Sequence, residues 1–122
     1  MEQMTLMNKK YKNPFKLTEH ELMNWCISWL SLKGHYVQRI NSGKIPVFQS
    51  GRIARMVKLA ETGTPDIIGF HKDTGQFIGI EIKVKPNKPL PAQVEFITNL
   101  KRCGGIGAIV YSQEEMMSIP GL

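Results

Sequence analysis

A chain of 122 residues, 42% of them hydrophobic, is long enough for one globular domain with a buried core and too short for two domains of ordinary size. Its 16 Lys and Arg residues outnumber its 10 Asp and Glu residues, and the formal charge of +6 favours polyanionic partners. No apolar run approaches the roughly 20 residues that span a bilayer, and the first residues lack the apolar core of a signal peptide, so we expect a cytoplasmic protein without a membrane partner.

Residues 1–14 are polar, basic and rich in methionine, and we expect them to form a flexible basic arm ahead of one domain over residues 15–122. The domain begins with the segment "LTEHELMNWCISWLSLKGH". In it Thr18 suits the N-cap of a helix, Glu21 stands at the capping-box position three residues later, and Gly34 is a typical helix end. The segment therefore predicts an amphipathic helix.

Two extended pieces follow the helix. "YVQRI" predicts a short strand, and after the turn signal "NSGK" the piece "IPVFQ" predicts a second one, whose Pro46 favours a sheet edge. The next segment, "GRIARMVKLAETGT", fits either a short helix or irregular chain. Arg52, Arg55 and Lys58 recur in it every three residues, so a helical turn would gather their charges on one side.

The second half of the chain predicts a hairpin, a helix and a further strand. The apolar strands "PDIIGF" and "FIGIEIKV" flank the turn "HKDTGQ", which Gly75 is placed to close. The loop "PNKP" precedes "PAQVEFITNLKRCGG", a helix with Pro91 at its start and Gly104 past its end. "IGAIVYS" then predicts a buried strand, and "QEEMMSI" a short helix or turn. This order predicts an α/β fold in which helices flank one mixed β-sheet.

Two charges interrupt the apolar strand "FIGIEIKV". Strand alternation places its large aliphatic side chains on one face: Ile78, Ile80, Ile82 and Val84. Glu81 and Lys83 therefore project side by side from the other face. One explanation is a half-exposed strand whose polar face meets water, which is common in antiparallel sheets.

The register of the hairpin favours a second explanation. If the turn from Lys72 to Gly75 is symmetric, Asp66 and Glu81 face each other across the two strands, whereas a slip of one residue would separate them. Carboxylates opposed at about 5 Å repel each other unless a cation lies between them, and Mg²⁺ typically takes one or two carboxylates with water and substrate phosphate. Lys83 would reach the same space and stabilise phosphoryl charge or hold an attacking water. The pattern predicts a divalent metal site with an ammonium group beside it.

These residues carry a family resemblance. "TPD" (Thr64 to Asp66) followed by "EIK" (Glu81 to Lys83) resembles the PD-(D/E)XK nuclease superfamily. More narrowly, the chain resembles the VRR-NUC family of virus-type replication and repair nucleases, because "TEHELMNWCISWL", "GTPD", "EIK", "PAQ" and "GGIGAIVYS" occur in that order. The resemblance spans roughly Thr18 to Glu115 and implies a restriction-endonuclease-like fold with Mg²⁺ or Mn²⁺ as cofactor.

The resemblance also implies roles for single residues. Asp66 and Glu81 would bind the metal together with the backbone carbonyl of Ile82, Lys83 would assist the water, and Gln93 would support the site. The sequence departs from the family pattern at Met23, where a glutamine is usual, and at Leu90, where a Ser or Thr usually caps the second helix. Neither departure removes a metal ligand.

A further acidic residue is expected from the first helix, and two glutamates compete for the role. Glu19 falls well inside the apolar arc of the helix, whereas Glu21 lies at its margin and already has a capping role with Thr18. We therefore favour Glu19 as the third catalytic and metal-binding carboxylate, with Glu21 as the alternative.

Basic residues flank the predicted site in the sequence. We expect the following to grip the DNA backbone: Arg52, Arg55, Lys58, Lys85 and Lys88. Stand-alone members of the family resemble phage junction-processing enzymes, some of them homodimers, which implies a structure-specific endonuclease for branched DNA such as four-way (Holliday) junctions, acting in a bacterial host cell if phage-encoded. Two alternatives stay open: a non-catalytic nucleic-acid-binding module of the same fold, and a sequence-specific restriction-type nuclease.

Overall fold

The computed structural model describes residues 16–41 and 43–122, so the predicted basic arm over residues 1–14 lies outside the described part of the chain. The helices of the described residues are α1 (Glu19–Leu32), α2 (Pro91–Arg102) and α3 (Gln113–Met117). The strands are β1 (Tyr36–Arg39), β2 (Lys44–Gln49), β3 (Arg52–Lys58), β4 (Ile67–Phe70), β5 (Phe77–Ile82) and β6 (Ile106–Val110). Within the same residues, no helix is long and apolar enough to cross a membrane.

The main sheet has four strands in the order β1–β4–β5–β6. The pairs β1–β4 and β4–β5 are antiparallel, and β6 runs parallel to β5. Strands β2 and β3 pair only with each other, in a separate two-stranded sheet. The predicted mixed α/β class with a mixed sheet is thereby confirmed, whereas the expectation of one sheet is wrong, because β2 and β3 form a sheet of their own. The restriction-endonuclease-like fold in particular stays a prediction.

Helix α1 begins and packs as its sequence predicts. The Glu21 N–H donates to Thr18 Oγ1 at 3.1 Å and the Thr18 N–H donates to Glu21 Oε1 at 3.0 Å, which completes the capping box. One face of the helix buries Leu22, Cys26 and Leu30 against the isoleucines of the sheet. This packing holds the first turn of α1 close to the end of β5.

The register of the β4–β5 hairpin agrees with the predicted symmetric turn. Ile67 pairs with Ile80 and Phe70 pairs with Phe77, and the His71 N–H closes the connection by donating to the Gln76 carbonyl at 2.9 Å. Because opposed side chains share a face of the sheet, this register brings the residue before β4 opposite Glu81.

Strand β5 is covered on both faces, so the first of the two explanations, a half-exposed strand whose polar face meets water, is wrong. Helix α1 covers one face, and α2 lies on the other so closely that a Cβ on Gly79 would stand 2.9 Å from Leu100 Cδ2. A Cβ on Gly105 would stand 2.2 Å from Leu100 Cδ1. Glycines at these positions let the helix approach the sheet, and Glu81 is consequently only 1% exposed.

The segment "RIARMVK", which fits a helix or irregular chain by sequence, forms strand β3. Its register against β2 shifts between Val47 and Phe48, where β3 has one extra residue. Because of this bulge, Arg52 and Arg55 share one face of the two-stranded sheet, while Lys58, the partner of Lys44, lies on the other. The segment is a strand and not the helical turn that would gather the three cations on one side.

Candidate active site

Asp66 lies immediately before β4 and is held at both its main chain and its side chain. Its carbonyl accepts a hydrogen bond from the Ile40 N–H at 2.7 Å, and its Oδ2 accepts one from the Ile82 N–H at 2.9 Å. The carboxylate thus takes the place of a main-chain acceptor at the end of the β4–β5 ladder. It is fixed beside the carboxyl-terminal end of β5, where Glu81 lies.

Glu81 is a buried carboxylate that is only partly satisfied. Its Oε1 accepts a hydrogen bond from Gln93 Nε2 at 3.0 Å. Its Oε2 is buried, and no N–H or O–H group of the described residues donates to it. A buried oxygen of this kind is costly when the group is ionised and unpaired. Such an atom beside a second carboxylate is a suitable ligand for a cation.

Burial is the largest of the causes that raise the pKa of Glu81 from 4.5 to about 9. A hydrogen bond with Asp66 and the negative charge of Asp66 also raise this pKa. That hydrogen bond requires a proton on one of the two carboxyls, since two carboxylates are both acceptors. The positive charge of Lys83 acts in the opposite direction, and the negative charge of Glu19 raises the pKa further. The site therefore favours a positive charge at this point, whether as a proton or as a metal ion.

Gln93 joins helix α2 to the buried carboxylate. Its Oε1 accepts from the Leu90 N–H at 2.7 Å while its Nε2 donates to Glu81. The Leu90 side chain cannot accept a hydrogen bond and so cannot cap the helix. The Gln93 side-chain oxygen instead accepts a hydrogen bond from the Leu90 N–H at the helix start. The predicted support role of Gln93 thus has a definite geometry, which fixes the side-chain orientation of Glu81.

Lys83 and Glu19 both lie within electrostatic reach of Glu81. Lys83 follows β5, is half-buried, and is anchored by its N–H, which donates to the Val110 carbonyl at 3.0 Å. Glu19 is half-buried in the first turn of α1, whereas Glu21 is exposed and bonded to Thr18. The structure thus brings Glu19 towards the site and engages Glu21 in the helix cap.

The residues fit a divalent cation that prefers oxygen ligands. The neighbouring carboxyl groups and the unpaired Glu81 Oε2 supply the donors that Mg²⁺ uses when substrate and water complete its shell. No group of three His, Cys, Asp or Glu side chains converges within residues 16–41 and 43–122. Asp66 and Glu81 are the pair that the structure brings together, and the role of Glu19 as a third metal-binding carboxylate stays a prediction.

The residues predicted to grip DNA do not form one patch. All five are exposed: Arg52, Arg55, Lys58, Lys85 and Lys88. Lys58 lines a cavity that also contains Gln93, and Lys85 lines another between the end of β5 and the start of α3. The arginines lie on the opposite face of the β2–β3 sheet from Lys58.

Sequence reasoning missed one cation that the structure places beside the site. Lys44 pairs directly with Lys58 across the β2–β3 sheet and lines the same cavity as Gln93. The signal was present in the predicted strand "IPVFQ", which Lys44 precedes. The position of Lys44 beside Lys58 follows only from the pairing of β2 with β3. The sequence did not predict that β3 is a strand.

Comparison with known proteins adds nothing to this geometry: no protein-family model and no curated protein matches the chain. The resemblance to VRR-NUC nucleases accordingly rests on the order of the motifs and stays a prediction.

Proposed function

We propose that the protein is a Mg²⁺- or Mn²⁺-dependent endonuclease that hydrolyses phosphodiester bonds in DNA. The observation that carries the proposal is the proximity of Asp66 to Glu81, whose Oε2 is buried without a hydrogen-bond donor among the described residues. A stable core has little reason to bury such an oxygen next to a second carboxylate. In a site that binds a cation, the same buried oxygen would serve as a ligand.

The residues around the pair supply what phosphodiester hydrolysis needs. In the reaction water adds to phosphorus, the bond from phosphorus to the leaving sugar oxygen breaks, and that oxygen takes up a proton. Asp66 and Glu81 would hold the cation, which when bound supplies a Lewis acid to the phosphoryl group. The ammonium group of Lys83 would stabilise the negative charge that develops on the phosphoryl oxygens. Gln93 keeps Glu81 in the orientation that this requires.

We propose branched DNA as the substrate because the sequence resembles stand-alone junction-processing nucleases. The formal charge of +6 supports a polyanionic ligand, and exposed cations such as Lys58 and Lys85 suit contacts to phosphates. In the proposed homodimer, two active sites would act on two strands of one junction. Sedimentation equilibrium across a range of protein concentrations tests the dimer.

The direct test of function is cleavage. Purified protein is incubated with labelled four-way junction, flap, nicked and linear DNA, each with EDTA, Mg²⁺ or Mn²⁺. The same reactions are run with Lys83→Ala, and with Lys101→Ala, which removes an exposed lysine from the far end of α2. We expect metal-dependent cutting of the branched substrates by wild type and Lys101→Ala, and none by Lys83→Ala. Tight binding without cutting under any metal would instead support a non-catalytic binding module.

Cleavage of linear duplex at defined sequences, with no preference for branches, would support the restriction-type alternative. Sequencing the product ends separates these outcomes, because a structure-specific enzyme cuts at a fixed distance from the branch whatever the bases.

A further inference from the structure

A cavity of about 160 Å³ opens beside the candidate active site. Its wall includes Gln93, whose amide holds Glu81, and the paired lysines of the two-stranded sheet, Lys44 and Lys58. The rest of the wall is the loop that follows β3, over residues 60–64, together with Leu90. The cavity thus adjoins the buried carboxylate through one shared side chain.

The loop that lines the cavity is fixed against α2. Gly63 is buried with φ +95°, and a Cβ there would lie 2.7 Å from the carbonyl oxygen of Ala92. No other residue type fits this contact or adopts this backbone conformation readily. The neighbouring Thr62 accepts a hydrogen bond from Lys58 Nζ at 3.3 Å. The loop therefore fixes the Lys58 ammonium group relative to the helix that carries Gln93.

The charges of the cavity favour an anion. Lys44 and Lys58 are direct partners in the antiparallel register, and like charges at such positions destabilise a sheet. Among the described lining residues Glu61 is the single acidic one. One carboxylate against two ammonium groups leaves the cavity positive, and a bound anion would remove the repulsion between the lysines.

We propose that this cavity is a second phosphate subsite, which takes a phosphodiester of the same nucleic-acid strand whose neighbouring phosphodiester lies at Asp66 and Glu81. The inference rests on the proposed function and makes it more specific. The enzyme would need a strand that continues past the reacting phosphate on the side of the cavity, because one phosphate reacts and its neighbour is held by Lys44 and Lys58. Ammonium groups contact phosphate as point charges, so the subsite positions the strand without reading its bases.

The test measures binding without cleavage. Fluorescence anisotropy with a labelled four-way junction is recorded in EDTA over a range of NaCl concentrations for wild type, Lys44→Gln/Lys58→Gln and Glu61→Gln. The matched control is Lys72→Gln/Lys101→Gln, which removes two exposed lysines elsewhere. The lysine-pair variant should lose about 1 from the slope of log affinity against log salt, because one phosphate contact is lost, which corresponds to a ~10-fold weaker affinity near 0.1 M salt.

The remaining variants have defined expectations. Glu61→Gln should tighten binding, since it removes the negative charge from the cavity, and the control pair should leave the slope nearly unchanged. Lys44→Arg/Lys58→Arg should keep the slope, and Lys44→Gln alone should lose about half as much as the double variant. Thermal melting checks folding: removing the repulsion between two paired lysines should not lower the melting temperature.

Each failure has a separate signature. An unchanged slope in the lysine-pair variant, or an equal loss in the control, overturns the subsite and leaves the nuclease in place. A lost slope in a protein that cuts no DNA with Mg²⁺ or Mn²⁺ supports the subsite and overturns the nuclease. Absence of junction binding by the wild-type protein at every salt concentration overturns the subsite as well.

Discussion

Glu81 combines burial, a neighbouring carboxyl and an oxygen without a donor, and each of these disfavours its ionised form. Its folded-state pKa of about 9 lies above the ordinary value of 4.5, so the folded state holds this proton more tightly than the unfolded chain does. The stability that the protonated group supplies is fully present below pH 4.5 and is lost as the pH rises through about 9. In the absence of metal, the site therefore destabilises the protein at neutral pH.

Glu81→Gln should relieve this cost while keeping an oxygen that can accept from Gln93. In EDTA at pH 8 we expect the variant to unfold with a free energy about 1–3 kcal/mol higher than wild type, because folding no longer has to protonate a carboxyl that is ionised in the unfolded chain at that pH. At pH 4.5 the two proteins should be nearly equal. Urea titrations at several pH values measure the difference. A gap that is the same at every pH would contradict the protonation argument.

Gln93→Ala should affect the site more than the fold. It removes both the donor to Glu81 Oε1 and the acceptor for the Leu90 N–H. Loss of an outer contact of this kind typically costs 10–100-fold in metal affinity or activity. Stability should fall by about 1–2 kcal/mol. The measurement is the dependence of cleavage on Mg²⁺ concentration, with the exposed neighbour substitution Val94→Ala as control. Equal kinetics in the two variants would show that Glu81 needs no support from α2.

At the scale of elements, the two-stranded sheet differs from the rest of the molecule. Strands β2 and β3 pair with no strand of the main sheet, and their apolar side chains Phe48, Ile53 and Met56 are 62%, 59% and 52% exposed. An isolated pair of strands is marginally stable in water. By contrast, β5 is buried from Ile78 to Ile82. The hairpin that carries the paired lysines therefore opens more easily than the sheet that carries the carboxylates.

Hydrogen exchange measures this contrast directly. We expect amides paired within β2–β3 to exchange on the order of 100-fold faster than those of β5. Local opening is enough to expose the β2–β3 amides, whereas the β5 amides are exposed only when the whole protein unfolds. Addition of the four-way junction in EDTA should slow exchange in β2–β3 and leave β5 unchanged. Equally slow exchange in both sheets of the free protein would mean that the hairpin is covered in solution.

For the whole molecule, metal binding and folding should be linked. A cation that binds the folded site alone stabilises the protein according to its concentration relative to its dissociation constant. We expect Mg²⁺ at about ten to a hundred times that constant to raise the free energy of unfolding by roughly 1–3 kcal/mol. Thermal melts with and without Mg²⁺ measure the gain. The double variant Asp66→Asn/Glu81→Gln should show none of it, and an equal gain in that variant would place the ion elsewhere.

Much of this arrangement follows from local sequence rules. The turn residues fix the β4–β5 register, and the pair Ile67 and Ile80 at its end brings the preceding Asp66 close to Glu81. Thr18 and Glu21 fix the start of α1. What the sequence could not provide depends on packing between distant elements. The Gln93 amide reaches Glu81 because α2 lies close on the sheet, and Lys44 meets Lys58 because β3 carries a bulge within a strand that lacks clear alternation.

The approach of α2 to the sheet has a genetic consequence. Leu100 occupies space left by the missing side chains of Gly79, Gly105 and Gly107, where a Cβ would come within 2.9, 2.2 and 3.1 Å of its atoms. At Gly105 a Cβ would also stand 2.9 Å from Leu100 Cγ and 3.1 Å from the Phe77 carbonyl oxygen, so a larger residue there should displace the helix and carry Gln93 away from the carboxylate. In a screen for inactive alleles, hits at Gly105 should therefore occur beside hits at Asp66, Glu81 and Lys83, although Gly105 lies outside the candidate site.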